Sequence, residues 1–240
     1  MRRVGLMAIA ALALAGCIGC TSTVQGTAVA REIPRASATA PAHGLRGLLL
    51  SLDEMKQVLK FSGLATEQAW NRPDPRGVFR PDGCVGAVFS GMAGSYDGSG
   101  YRDFYEVRQQ DASYQGWSHW VDQGIAAFDN ALAAKGFVAK QVSQWRRCAG
   151  RQFSYAFPYP DEWRDPYVIG DTLDSGCVTM ISSVIPSDKR YTDLRVLAAK
   201  SNLVVDLQFT GFDLTDEPMT ATNRILDRIA SGARDCAFWG

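Results

Sequence analysis

The first 20 residues constrain everything after them, because they decide in which compartment the chain folds. Arg2 and Arg3 precede an apolar run, Val4 to Leu14, that ends in Leu14-Ala15-Gly16-Cys17. A basic start, a short apolar segment and small residues before a cleavage point form the layout of a secretion signal, and the terminal cysteine makes it a bacterial lipobox. The run is shorter than the roughly 20 apolar residues of a membrane-spanning helix. The expectation is a signal peptide over residues 1–16, cleavage before Cys17, and acylation of Cys17. Lipid chains would then hold the protein on the extracytoplasmic face of the cell membrane, making the membrane its first partner. Cys17-Ile18-Gly19-Cys20 also spells C-x-x-C, but no second pair exists to complete a zinc site.

Residues 17–43 read as a tether. From Thr21 to His43 the chain is rich in Thr, Ser, Ala and Pro and carries no aromatic residue, so it cannot bury enough apolar surface to offset its ordering entropy. Residues 44–240 hold the aliphatic and aromatic content of one sizeable core. Loss of Arg2 and Arg3 from 25 basic residues leaves 23 against 25 acidic, a formal charge of −2. With no cluster of Lys and Arg, nucleic-acid binding is not expected.

Four cysteines remain in the domain: Cys84, Cys148, Cys177 and Cys236. An even number in an exported chain predicts two disulfides, and four cysteines allow three connectivities between which spacing does not choose.

Ser51-Leu52-Asp53-Glu54 is a capping box, followed by Met55, Val58 and Leu59 at helical spacing until Gly63. Asp82 is placed to cap a second helix through Cys84, Val85, Val88 and Phe89, and Gly91 to Gly100 follows as a glycine-rich run. Strand composition recurs over Phe104 to Arg108 and Val121 to Phe128. Asp129 or Asn130 can cap a long helix through Leu132, Phe137, Val138, Val142 and Trp145 to Cys148. Gln152 to Phe157 alternates with period two, and Cys177 to Ile185 is strand-like. Leu194 to Ala199 and Leu203 to Phe209 flank Lys200-Ser201-Asn202 as a hairpin. Thr215 or Asp216 precedes a final helix with Pro218 in its first turn and Ile225, Leu226 and Ile229 on one face. Trp70 to Gly83 and Tyr159 to Gly176 show no regular pattern and read as long irregular connections. The expected class is α+β, an antiparallel sheet flanked by helices and stapled by two disulfides.

Several of these segments together resemble the PknH-like extracellular sensor domain. They are Leu48-Leu49-Leu50-Ser51 opening a helix, Cys84-Val85-Gly86-Ala87, Trp145-Arg146-Arg147-Cys148-Ala149-Gly150, the strand from Cys177, the Ser201 to Asp206 hairpin arm and the terminal helix before Cys236. The family occurs as the outer domain of actinobacterial Ser/Thr kinases and as stand-alone lipoproteins. The resemblance implies an antiparallel sheet with flanking helices, disulfides Cys84–Cys148 and Cys177–Cys236, and a solvent-filled cleft for an unknown ligand. A kinase domain and a spanning helix are not expected in this chain, which excludes direct phosphorelay.

Catalytic chemistry finds little support. His119 is the one histidine of the domain, with Ser113, Ser118 and Asp122 near it in sequence only, and no G-x-S-x-G elbow is present. No phosphate loop or H-E-x-x-H helix indicates a cofactor or catalytic metal. Asp161, Glu162, Asp165, Asp171 and Asp174 match no EF-hand spacing and read as an acidic surface. Among the aromatics, Tyr155, Tyr159 and Trp163 are the candidates to line an apolar-walled cleft. The favoured reading is a lipoprotein that binds a small molecule or envelope ligand without chemical change. The alternatives are a protein-interaction module and, less favoured, a hydrolase using His119.

Overall fold

Ser51 opens α1 (Leu52–Leu59) as the capping box predicts: its Oγ accepts from the Glu54 N–H at 3.3 Å, and its own N–H donates to Glu54 Oε2 at 2.8 Å. The computed structural model describes residues 44–111, 119–157, 161, 163–164 and 166–229. Cys17, Ser113, Ser118, Tyr159, Glu162, Asp165 and Cys236 lie outside the described residues, as do the signal and the tether.

After α1 come β1 (Leu64–Trp70), β2 (Val78–Arg80) and two single-turn helices, α2 (Val85–Val88) and α3 (Ala93–Tyr96). β3 (Asp103–Asp111) and β4 (His119–Ala127) lead into α4 (Ala131–Cys148). Then follow β5 (Gln152–Ala156), β6 (Tyr167–Ser175), β7 (Val178–Ile185), β8 (Asp188–Lys200), β9 (Leu203–Phe212) and α5 (Glu217–Arg228). The described strands form one nine-stranded sheet in the order β1-β3-β4-β9-β8-β7-β6-β5-β2, antiparallel at every pairing. This is the expected α+β class.

The hairpin turns as predicted. Lys200 pairs with Leu203, so Ser201 and Asn202 make a two-residue turn, with Ser201 in the left-handed region at φ 57°. Asn202 Nδ2 donates to the Phe128 carbonyl at 2.9 Å, which ties the turn to the end of β4. β9 is buried along almost its whole length, because helices cover both faces of the sheet. On one face α1 and α5 pack on Val121, Ile125, Val205, Leu207 and Phe209. On the other, α2, α3 and α4 pack on Phe104, Ala126, Leu197 and Val204.

Asn130, not Asp129, caps α4: its side chain accepts from the Ala133 N–H at 3.0 Å, while Asp129 pairs with Arg102. Leu132 does not face the core. It lies on the side of α4 opposite the stripe of Ala134, Phe137, Val138, Gln141 and Trp145 and is 82 % exposed. Asp82 is not a cap either, since its carboxylate accepts from the adjacent Gly83 N–H, and the expected helix splits into a 3₁₀ turn (Asp82–Cys84) and α2. Asp216 precedes α5 without a side-chain cap, and Glu217 instead accepts from the Thr215 N–H.

Both stretches expected to be irregular contain strands. β2 is three residues long. β6 escapes notice because its second half is exposed on both faces, which erases the alternation that marks a half-buried strand. β1 and α3 carry no sequence signal at all. Of the two disulfides expected, Cys84–Cys148 is present and joins the turn before α2 to the end of α4, closing a 64-residue separation.

Candidate functional site

The sheet face beneath α2, α3 and α4 changes character along the strands. Phe104, Ala126 and Val204 are apolar where α4 covers them. Farther along, three polar rows run across the strands by register. Glu106, Gly124 and Asp206 form the first, Arg108, Asp122, Gln208 and Arg195 the second, and Gln110, Trp120, Thr210, Asp193 and Ser183 the third.

Most of these groups are paired. Arg108 donates to both oxygens of Asp122 at 2.8 and 2.9 Å, and Trp120 Nε1 donates to the same carboxylate at 2.9 Å. The Arg108 guanidinium lies between the rings of Trp70 and Trp120, 5.0 and 3.9 Å from their centroids, an arrangement that adds cation–π attraction. Arg195, 2 % exposed, donates to Asp206 Oδ1 and to the carbonyls of Leu207 and Gly86. Asp206 Oδ2 accepts from the Tyr96 hydroxyl at 2.8 Å and the Gly91 N–H at 3.2 Å. Gly91 adopts φ +56°, and a Cβ there would lie 2.2 Å from Glu106 Oε2, so only glycine permits this approach. Burial, reinforced by the Asp122 and Asp206 charges, pushes the Glu106 carboxyl up to about 8. It is therefore protonated at neutral pH and accepts from Ser90 Oγ at 3.0 Å.

Asp193 is different. Its Oδ1 accepts from Thr210 Oγ1 and Gln208 Nε2, but Oδ2 is buried without a hydrogen-bond partner, as is Oγ of Ser183 directly opposite on β7. Burial raises the Asp193 carboxyl to about 6, against the Thr210, Gln208 and Tyr167 hydroxyl and amide groups that favour its charge. Tyr155, Tyr167 and Tyr191 all feel that charge: burial first, then Asp193, raises each of their hydroxyls, Tyr155 to about 12. The Tyr155 and Tyr167 rings stack at 5.9 Å.

Of the predicted lining residues, Tyr155 thus joins this buried polar region. Trp163 lies at the surface, 41 % exposed, with the Arg80 guanidinium 4.4 Å from its ring centroid. His119 stacks on Phe61 at 4.3 Å, and burial depresses its basicity. It and Asp122 project from opposite faces of β4, because they are an odd number of positions apart. Asp174 is bound to Arg146 and Thr179. No group of three metal-ligating side chains is found among the described residues.

An open groove of about 700 Å³ lies on the opposite face, between α1, the preceding 3₁₀ turn (Leu45–Leu48) and strands β1 and β3. Arg46, Leu50, Glu54, Tyr105, Gln109 and Arg228 contribute to its walls. Its frame is rigidly held. Gln123 grips the Leu50 backbone from both sides, accepting from its N–H at 2.9 Å and donating to its carbonyl at 3.1 Å. Arg228 donates to the Leu49 carbonyl at 2.6 Å and to Glu54. Arg46 is exposed at the groove wall. Of these polar residues the sequence marked only Glu54, and that as part of a helix cap, because isolated Gln and Arg positions become neighbours only through strand register and helix docking.

A family model described as the PknH-like extracellular domain matches residues 40–231. This chain belongs to that family. The serine/threonine-protein kinase PknH of Mycobacterium bovis is 24 % identical over 187 residues, covering 77 % of this chain and 30 % of the kinase. The Mycobacterium tuberculosis kinase is equally similar, with 29 % of its length covered. The chain therefore spans less than a third of these relatives. The crystal structure of the extracellular domain of PknH from Mycobacterium tuberculosis superimposes with a TM-score of 0.71 at 21 % identity, covering 76 % of this chain and 93 % of that one. The PknH-like fold and an extracytoplasmic domain type follow. Among the described residues, no helix is long and apolar enough to cross a membrane.

Proposed function

We propose that the chain is a non-catalytic, ligand-binding member of the PknH-like extracellular domain family. In this reading residues 1–16 are a signal peptide, and lipid on Cys17 with a tether to residue 43 anchors the domain outside the cell membrane. Cys177 and Cys236 form the second disulfide. The observation that carries the ligand-binding reading is the groove of about 700 Å³, whose size is that of a small-molecule site. Its backbone frame is locked by Gln123 and Arg228 while Arg46 stands exposed at the wall. A rigid concave surface with an exposed arginine suits an anionic or polar small molecule.

Native mass spectrometry of the protein purified from envelope without reduction tests this. The expected result is a discrete added mass that is lost on denaturation and reduced in Arg46→Ala. A bare polypeptide mass across several extracts would refute ligand binding and favour the protein-interaction alternative. The anchor is tested separately: Cys17→Ser should move the protein from the membrane pellet to the soluble fraction.

A further inference from the structure

Among the described residues, Asp193 is a buried carboxylate on the α4 side of the sheet that makes no salt bridge, although Arg195 two positions along β8 attracts it. Arg108 is matched by Asp122 and Arg195 by Asp206, and Glu106 is protonated at neutral pH. Burying a carboxylate outside an ion pair is unfavourable even when one of its oxygens is hydrogen-bonded, as Asp193 Oδ1 is by Thr210 and Gln208. Here the deficit is local and directional, since Asp193 Oδ2 and Ser183 Oγ are both unsatisfied and sit on directly opposed residues of β8 and β7. The three tyrosines stand around this pair. Tyr191 lies two residues before Asp193 on the same face of β8, Tyr167 pairs with Phe153 on the neighbouring β5, and Tyr155 lies two residues beyond Phe153. Tyr155 and Tyr191 are half-buried, so the surround reaches solvent. Departures from full hydrogen-bond satisfaction of this kind concentrate at functional sites.

We propose that Asp193 and Ser183 form a second binding site, distinct from the groove, that takes the protonated primary amine of an organic ligand, with Tyr155, Tyr167 and Tyr191 as its aromatic surround. Two unsatisfied oxygens call for N–H donors, which a primary ammonium supplies and a quaternary one does not. The positive charge neutralises Asp193, and tyrosine ring faces attract cations.

The test is saturation-transfer NMR on the full-length chain with n-butylammonium chloride and its neutral counterpart 1-butanol. Saturable binding of the amine is expected, at least tenfold weaker in Asp193→Asn, and no saturable binding of the alcohol. Asp193→Asn keeps the Oδ1 acceptor used by Thr210 and Gln208, and it should raise the melting temperature of the unliganded protein by about 2–4 °C by removing the unpaired charge. Ser183→Ala, which leaves the charge untouched, should weaken the amine several-fold. Equal binding of amine and alcohol, amine binding unchanged in Asp193→Asn, or no saturable amine binding at all would each overturn the proposal, the last assigning the gap to water. An envelope ligand lost from Arg46→Ala but retained by Asp193→Asn belongs to the groove and leaves the amine titration in Asp193→Asn to decide the second site.

Discussion

Replacing Glu106 with Gln should stabilise this protein, and only above a definable pH. In the folded chain burial, with Asp122 on β4 and Asp206 on β9, holds the Glu106 carboxyl protonated until about pH 8, against the opposing Arg108 charge and the Ser90 hydrogen bond. In the unfolded chain it ionises near 4.5. The folded pKa is raised, so its contribution is complete below pH 4.5 and is lost as pH climbs through 8. Within that window each pH unit weakens folding by about 1.4 kcal/mol, which accumulates to on the order of 3 kcal/mol at pH 7. Glutamine has the same shape, keeps an oxygen for Ser90 Oγ and never ionises. The difference between the Glu106→Gln variant and the parent should therefore be near zero at pH 4.5, grow steadily, and level off beyond pH 8. Titrating groups remote from Glu106 are common to both proteins and cancel in the difference. Urea unfolding followed by tryptophan fluorescence at pH 4.5, 6, 7 and 8 measures it. A pH-independent difference, or a variant less stable than the parent at pH 7, would refute the claim that Glu106 is buried as an acid.

Three further outcomes follow from the geometry. Removing the disulfide with Cys84→Ser and Cys148→Ser frees a 64-residue loop and should cost about 4 kcal/mol, lowering the melting temperature by about 10 °C in a thermal scan under non-reducing conditions. Arg195→Met leaves Asp206 a buried carboxylate held only by Tyr96 and Gly91; denaturant unfolding should show a loss of about 3–5 kcal/mol. Asn130→Ala should cost about 1 kcal/mol through the lost α4 cap, whereas Asp129→Ala, whose pair with Arg102 is exposed, should unfold at an unchanged midpoint.

Local signals were legible wherever one short segment holds all the interacting atoms. The α1 capping box, the α4 cap and the Ser201-Asn202 turn each close within a few residues; the first and last form as the sequence predicts, and of the two caps offered for α4 the structure takes Asn130. β6 failed because half of it is exposed, and Asp82 failed because its carboxylate found the Gly83 N–H next to it. The candidate sites were barely legible. Tyr155 was nominated and does stand near Asp193, but Asp193, Ser183, Arg46 and Gln123 were passed over, since a polar residue in a strand carries no mark of which neighbour it will meet.

By itself the amino-acid sequence determined the α+β class, the long amphipathic helix, the central hairpin and the motifs of the PknH-like extracellular domain. Periodicity, caps and turns are properties of contiguous residues. Only the tertiary structure decided which of the described buried charges pair. Antiparallel register sets Asp193 against Ser183 rather than against an arginine, and turns Arg195 toward Asp206. Helix docking then removes all of them from water, so that a missing partner becomes energetically significant only after the sheet has closed.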